Sequence, residues 1–126
     1  MEIREPKRVD FRVKYRFLTK EEGGRESGSP FNNYRSDWLY EGDDVQKVGL
    51  SMVWPFFEDS NGDFINDEIL VPMKGTARMF ILVPESREKT HRNRIKLGVR
   101  GYFMEGSKKV AEAEVVEIVE LHEDEI

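Results

Sequence analysis

The sequence has no cysteine. Disulfide scaffolds, thiolate metal sites and cysteine nucleophiles are excluded together, and the usage fits a reducing compartment. Long apolar runs are lacking too: the longest, Met79 to Val83, is far too short to span a bilayer. The N-terminus, Met1-Glu2-Ile3-Arg4-Glu5-Pro6, is charged where a secretory signal needs an apolar stretch. A soluble, cytoplasmic protein without membrane association is expected. Only two histidines occur, His91 and His122, each isolated among charged residues with no serine or carboxylate at a diagnostic spacing. That argues against catalysis by either. No Gly-x-x-x-x-Gly-Lys-Ser/Thr loop is present, so nucleotide hydrolysis by that machinery has nothing to cradle a phosphate.

What is present is enough chain, 126 residues, to enclose a core in one domain spanning 1–126. The net charge of -5 is unevenly spread. Two basic segments, 1–20 and 85–109, alternate with two acidic ones, 21–84 and 110–126. Charges on strand faces are usually just solvated, and an acidic balance does not help a protein grip phosphates.

From Val9 to Phe17 apolar residues occupy every second position, with Asp10, Arg12, Lys14 and Arg16 between them. That period predicts a half-buried strand. Glu21 to Pro30 is turn-rich, and Tyr34 to Tyr40 returns as a second strand with Tyr34, Trp38 and Tyr40 on one side. Val48 to Trp54 alternates and is expected to stop at Pro55, which cannot extend a central ladder. Ile69 to Val71 reads as a short strand and Ala77 to Val83 as a longer one. Residues 85–93 read as an exposed loop, followed by a strand carrying Ile95, Leu97, Val99 and Phe103. Glu105-Gly106 then turns into 108–121, which fits a helical stripe through Ala111, Val115, Ile118 and Val119 but is rich in β-branched residues. Strand is the preferred reading there, with 123–126 as a frayed tail. Six to seven short strands with turns between them predict an all-β fold, a small closed or nearly closed antiparallel β-barrel.

Several groups invite a chemical reading. Arg25 and Arg35 can clamp oxyanions, or can pair with Glu21, Glu22 or Asp37 and pin the loop. Phe31, Tyr34, Trp38 and Tyr40 can stack bases, but alternation turns most of them inward and leaves Phe31 as the exposed candidate. Lys89, Arg92 and Arg94 belong to the densest basic stretch, a place for nucleic acid or an acidic protein surface. Asp59 to Asp63 begins like a calcium loop, but Phe64 stands where glycine is needed and Leu70 where a bidentate glutamate belongs. A hairpin turn is the better reading. No catalytic residue, cofactor or metal is therefore predicted.

The run Glu21-Glu22-Gly23-Gly24-Arg25, then Ser29-Pro30-Phe31 and Tyr34-Arg35, resembles the opening hairpin of the C-terminal β-barrel of translation elongation factor Tu. The hairpin from Glu105-Gly106 into Lys108 to Ile118 resembles the closing hairpin of that barrel, while Val71-Pro72, Gly75 and Arg78-Met79-Phe80 match its middle loosely. The resemblance implies a stand-alone relative of that barrel, detached from its GTPase, and a link to translation. In that family the domain contributes to binding aminoacyl-tRNA and packs on the GTPase domain. Carried over, Arg25 would lie near the RNA backbone, and Phe31, Tyr34 and Arg35 would form the following hairpin. Ser36-Asp37 replaces the family's Pro-Gln and puts a carboxylate beside that face. The preferred expectation is a non-enzymatic module binding a protein partner. The alternative is an RNA-binding module using the Arg25/Arg35 hairpin.

Overall fold

A computed structural model of the chain describes residues 3–124. Six strands form one sheet: β1 (Phe11–Phe17), β2 (Asp37–Tyr40), β3 (Val53–Phe57), β4 (Lys74–Ile81), β5 (Arg100–Glu105) and β6 (Lys108–Ile118). Their order is β2-β5-β6-β1-β4-β3, and every neighbouring pair is antiparallel. β1 shows why alternation predicts a strand. Phe11, Val13, Tyr15 and Phe17 are buried, while Arg12, Lys14 and Arg16 point outward. Segment 108–121 is strand through Ile118, and Gly106 adopts the positive φ that its tight hairpin requires.

The core is aromatic. Phe11, Tyr15, Phe17, Trp38, Phe57 and Phe103 lie within one cluster, largely in edge-to-face contacts. Trp38 lies so close to β5 that any side chain at position 101 would run into its ring, which explains Gly101.

The expected closed or nearly closed barrel is corrected to an open half-barrel. Among the described residues its edge strands, β2 and β3, are not paired with each other; the one bridge near that opening joins Trp38 of β2 to Ser51, two residues before β3. The reason lies in Pro55. The bonds Glu58 N–H to Thr76 O and Leu82 N–H to Met52 O set the β3–β4 phase. Val53, Pro55 and Phe57 therefore turn their backbone groups away from β4; on that outer side Pro55 O accepts from Arg35 and Phe57 O from Ile65 N–H. Pro55 has no N–H to offer there, so it interrupts pairing on that side without harming β4. This also corrects the expectation that Pro55 ends the strand, because β3 runs through it.

Other expectations shift for identifiable reasons. β1 and β2 do not form a hairpin; β1 pairs with β4 and β6, and β2 with β5. Val45–Val48 is one helical turn capped by the Asp44 side chain, so the alternation from Val48 onward becomes strand only at Val53. Ile69 to Val71 contributes a single bridge, Phe31–Leu70, rather than a strand. Residues 95–99 precede β5 without joining it as strand, and Leu97 is exposed.

The largest correction concerns 85–93. It is a helical segment, Pro84–Ser86, Arg87–His91 and Arg92–Arg94, whose middle turn is of π type. Its polarity conceals two buried residues, Arg87 and His91. Arg87 donates to both carboxylate oxygens of fully buried Asp10 and to Ile81 O. Asp10 also accepts from Arg8 Nε at 2.7 Å and Ile81 N at 2.8 Å. Burying these charges is tolerable only because each is paired. The Glu123 carbonyl accepts from Arg8 and Arg92, whereas residues 125–126 of the expected tail lie outside the described residues.

Candidate functional site

The two arginines singled out by sequence both have internal partners. Arg25 donates to Gly28 O and to Glu105 Oε2, at 3.0 and 2.5 Å, and lies over the Tyr34 ring. The Tyr34 hydroxyl donates to the same Glu105 oxygen at 2.5 Å. Burial alone would raise the Glu105 carboxyl; the bonds from Tyr34 and Arg25 outweigh it and hold it below its ordinary range. Arg35 donates to Asn32 O, Tyr34 O and Pro55 O and stacks over Phe56 at 3.9 Å. Burial pushes its guanidinium down to about 10, still charged at neutral pH. Glu21, Glu22 and Asp37 are not the partners of either. Glu22 instead takes two bonds from Arg16, at 2.8 and 3.0 Å.

The second candidate stretch is similarly committed. Arg92 donates to Leu121 O, Glu123 O and Asp124, and Arg94 pairs with Asp43 at 2.6 Å while covering the Tyr40 ring. Lys89, exposed, pairs with Glu85 one helical turn away. Beneath them, Tyr40 Oη lies 2.6 Å from His91 Nδ1. Burial pushes the His91 imidazole down to about 4 and raises the Tyr40 phenol, so the hydrogen-bonded pair is neutral at pH 7.

Phe31 behaves differently. It is 51% exposed, directly across a bridge from Leu70 (58%), and Ile69 (47%) and Met73 (38%) of the same loop are exposed too. The Phe31–Leu70 bridge joins two loops, with Asn32 N–H donating to Ile69 O and Val71 N–H to Pro30 O. Asn32, itself buried, donates from Nδ2 to Ile65 O and accepts at Oδ1 from Ile69 N–H. Its side chain replaces the ladder that a longer strand pair would have supplied. The result is a small apolar ledge, Phe31 beside Leu70, held in solvent by these bonds and preceded in the chain by exposed Asp67 and Glu68. Ile69, Leu70 and Met73 were missed by sequence reasoning. Their only signal was an apolar run too short and too interrupted by Pro72 to be a dependable strand.

Charge on the outer sheet face forms cross-strand rows. Arg12 faces Arg78, Lys14 faces Thr76 and Arg16 faces Lys74 across β1 and β4. On the other side of β1 stand Glu112, Glu114 and Glu117 of β6. Glu58, with its side chain almost wholly buried, joins the first row. It accepts from Arg12 Nη2 at 2.6 Å, Arg78 Nε at 2.7 Å and Thr76 Oγ1 at 2.7 Å. Burial would raise its carboxyl, and these three donors outweigh that to leave it lowered. A groove of about 360 Å³ lies over the row at Tyr15, lined by Lys14, Arg16, Lys74, Arg100, Glu112 and Glu114.

Among the described residues no group of His, Asp and Glu is placed to hold a metal ion, and no helix is long and apolar enough to cross a membrane. The four surfaces thus divide into two braced by internal ion pairs, one apolar ledge and one charged groove. No family model matches the chain, and no curated protein is similar to it at a significant level.

Proposed function

We propose that this chain is a non-enzymatic interaction module that docks a protein partner on the ledge that Phe31 and Leu70 form. The observation that carries the reading is Asn32. A buried side chain whose carbonyl and amide both brace these two loops holds large apolar groups in water, where they gain nothing for the isolated fold. Covering what remains exposed of each side chain contributes about 1 kcal/mol. Asp67 and Glu68 border the ledge with negative charge. The partner that fits therefore inserts apolar side chains and places basic ones beside them.

Kinship with the C-terminal barrel of elongation factor Tu belongs to the same proposal. Its support is the order of the Glu-Gly-Gly-Arg and Glu-Gly-hairpin motifs along the chain. RNA binding through Arg25 and Arg35 has less support, since both guanidiniums are engaged with carbonyls, Glu105 and aromatic rings.

The test is affinity capture from the source cells with wild-type protein and a Phe31→Asp/Leu70→Asp variant, followed by reconstitution with the purified partner. A one-to-one complex that survives moderate salt and is lost in the variant is expected. A complex indifferent to the variant, or material that is RNA and leaves with salt, would overturn the reading.

A further inference from the structure

The two outer rungs of β1 and β4 that set cation against cation differ in one respect. Like charges directly opposite one another on neighbouring strands are destabilising. At Arg12–Arg78 the conflict is resolved by Glu58, which bonds to both guanidiniums. At Arg16–Lys74 no carboxylate does this. Glu22 and Glu112 both bond to Arg16, and Lys74 has no ion pair or hydrogen bond from its ammonium among the described residues. Lys14, one row along, approaches only Glu114, at 3.8 Å and with its side chain 63% exposed. Both lysines line the groove of about 360 Å³, with Gly75 between Lys74 and Thr76.

We propose that this groove is a binding site for carboxylate side chains of an extended acidic peptide, which supply to Lys74 and Lys14 the anion that Glu58 supplies to Arg12 and Arg78. The site stands apart from the apolar ledge and does not depend on it. Its reach suits a peptide: Lys14 and Lys74 are diagonal neighbours across β1 and β4, about 7–8 Å apart, and alternate side chains of an extended chain lie about 7 Å apart. Glu112 and Glu114 on the far wall, beside Arg100, set the ligand class. A polyphosphate chain carries unbroken negative charge past those carboxylates. A peptide can place its carboxylates at the lysines and neutral residues elsewhere.

The test is an NMR titration of isotope-labelled protein with the capped pentapeptide Glu-Ala-Glu-Ala-Glu and, separately, with hexauridylate, each at low and moderate salt. Saturable shifts at the amides of Gly75, Thr76 and Tyr15 are expected with the peptide, weakened by salt. Lys74→Glu should weaken that binding by at least about tenfold. Lys74 is exposed, so a folded variant is expected, and an otherwise unchanged spectrum verifies it. Absence of saturable shifts, equal binding by the variant, or tighter binding of hexauridylate at the same amides would overturn the proposal. A Leu70→Asp variant should bind the pentapeptide normally, which separates failure of this site from failure of the ledge.

Discussion

Arg12–Arg78 and Arg16–Lys74 occupy equivalent outer positions on the same two strands, four residues apart on each. The first encloses a buried carboxylate, whereas the second is open to water with one cation unmatched. The difference teaches how to read charge on a small β protein. A cation whose anion is built into the fold serves stability; one whose anion is absent is free to serve a ligand. The same distinction sorts the arginines of the chain, since Arg25, Arg35, Arg92 and Arg94 all have internal partners.

The comparison can be broken most forcefully at Glu58. Glu58→Gln leaves Arg78 without its carboxylate and Arg12 with only Glu117, and should cost about 3 kcal/mol, measured by urea unfolding at neutral pH. Acid separates the braced regions by range. His91 is held neutral by burial, with its pKa lowered from 6.5 to about 4. Its native environment is fully favourable above 6.5, and stability falls as the unfolded chain takes up a proton that the folded one refuses. A slope of about 1.4 kcal/mol per pH unit is expected from 6.5 down to about 4, and should vanish in His91→Gln. Glu58 acts lower. Because its folded pKa is below the ordinary 4.5, its contribution is complete above that value and is lost as pH falls through the lowered one.

A double-mutant cycle between Glu58→Gln and Arg78→Met should give a coupling of about 1–2 kcal/mol. The same cycle between Glu58→Gln and Lys74→Met should give a value near zero, since Lys74 does not touch Glu58. The smallest effect belongs to Lys74→Glu. It places an anion opposite Arg16 and should change stability by no more than about 0.5 kcal/mol, in the favourable direction.

Sequence made the strand faces of β1 and β4 legible because their alternation records which side meets the core. The exposure of Phe31 was legible for the same reason. β6, in contrast, was read as strand from its β-branched residues and the turn before it, without its faces. Pairing was not. Arg25 finds Glu105 eighty positions away, and Arg12 finds Glu58 across two strands, distances that local pattern does not encode. Segment 85–93 misled because burial there rests on Arg87 and His91, whose polarity signals a loop until Asp10 and Tyr40 are seen beside them. Pro55 misled in the opposite way: its nitrogen faces away from β4, so it leaves the β3–β4 ladder intact and offers no N–H on the outer side. Lys74 carries no sequence signal at all, because an unmatched cation is defined by what fails to reach it.

The most direct measurement is urea unfolding of wild type, Glu58→Gln and Lys74→Glu in parallel at neutral pH. The expected result is a loss of about 3 kcal/mol for Glu58→Gln and none for Lys74→Glu. Comparable destabilisation by both, or a Glu58→Gln protein as stable as wild type, would contradict the division between braced and open charge.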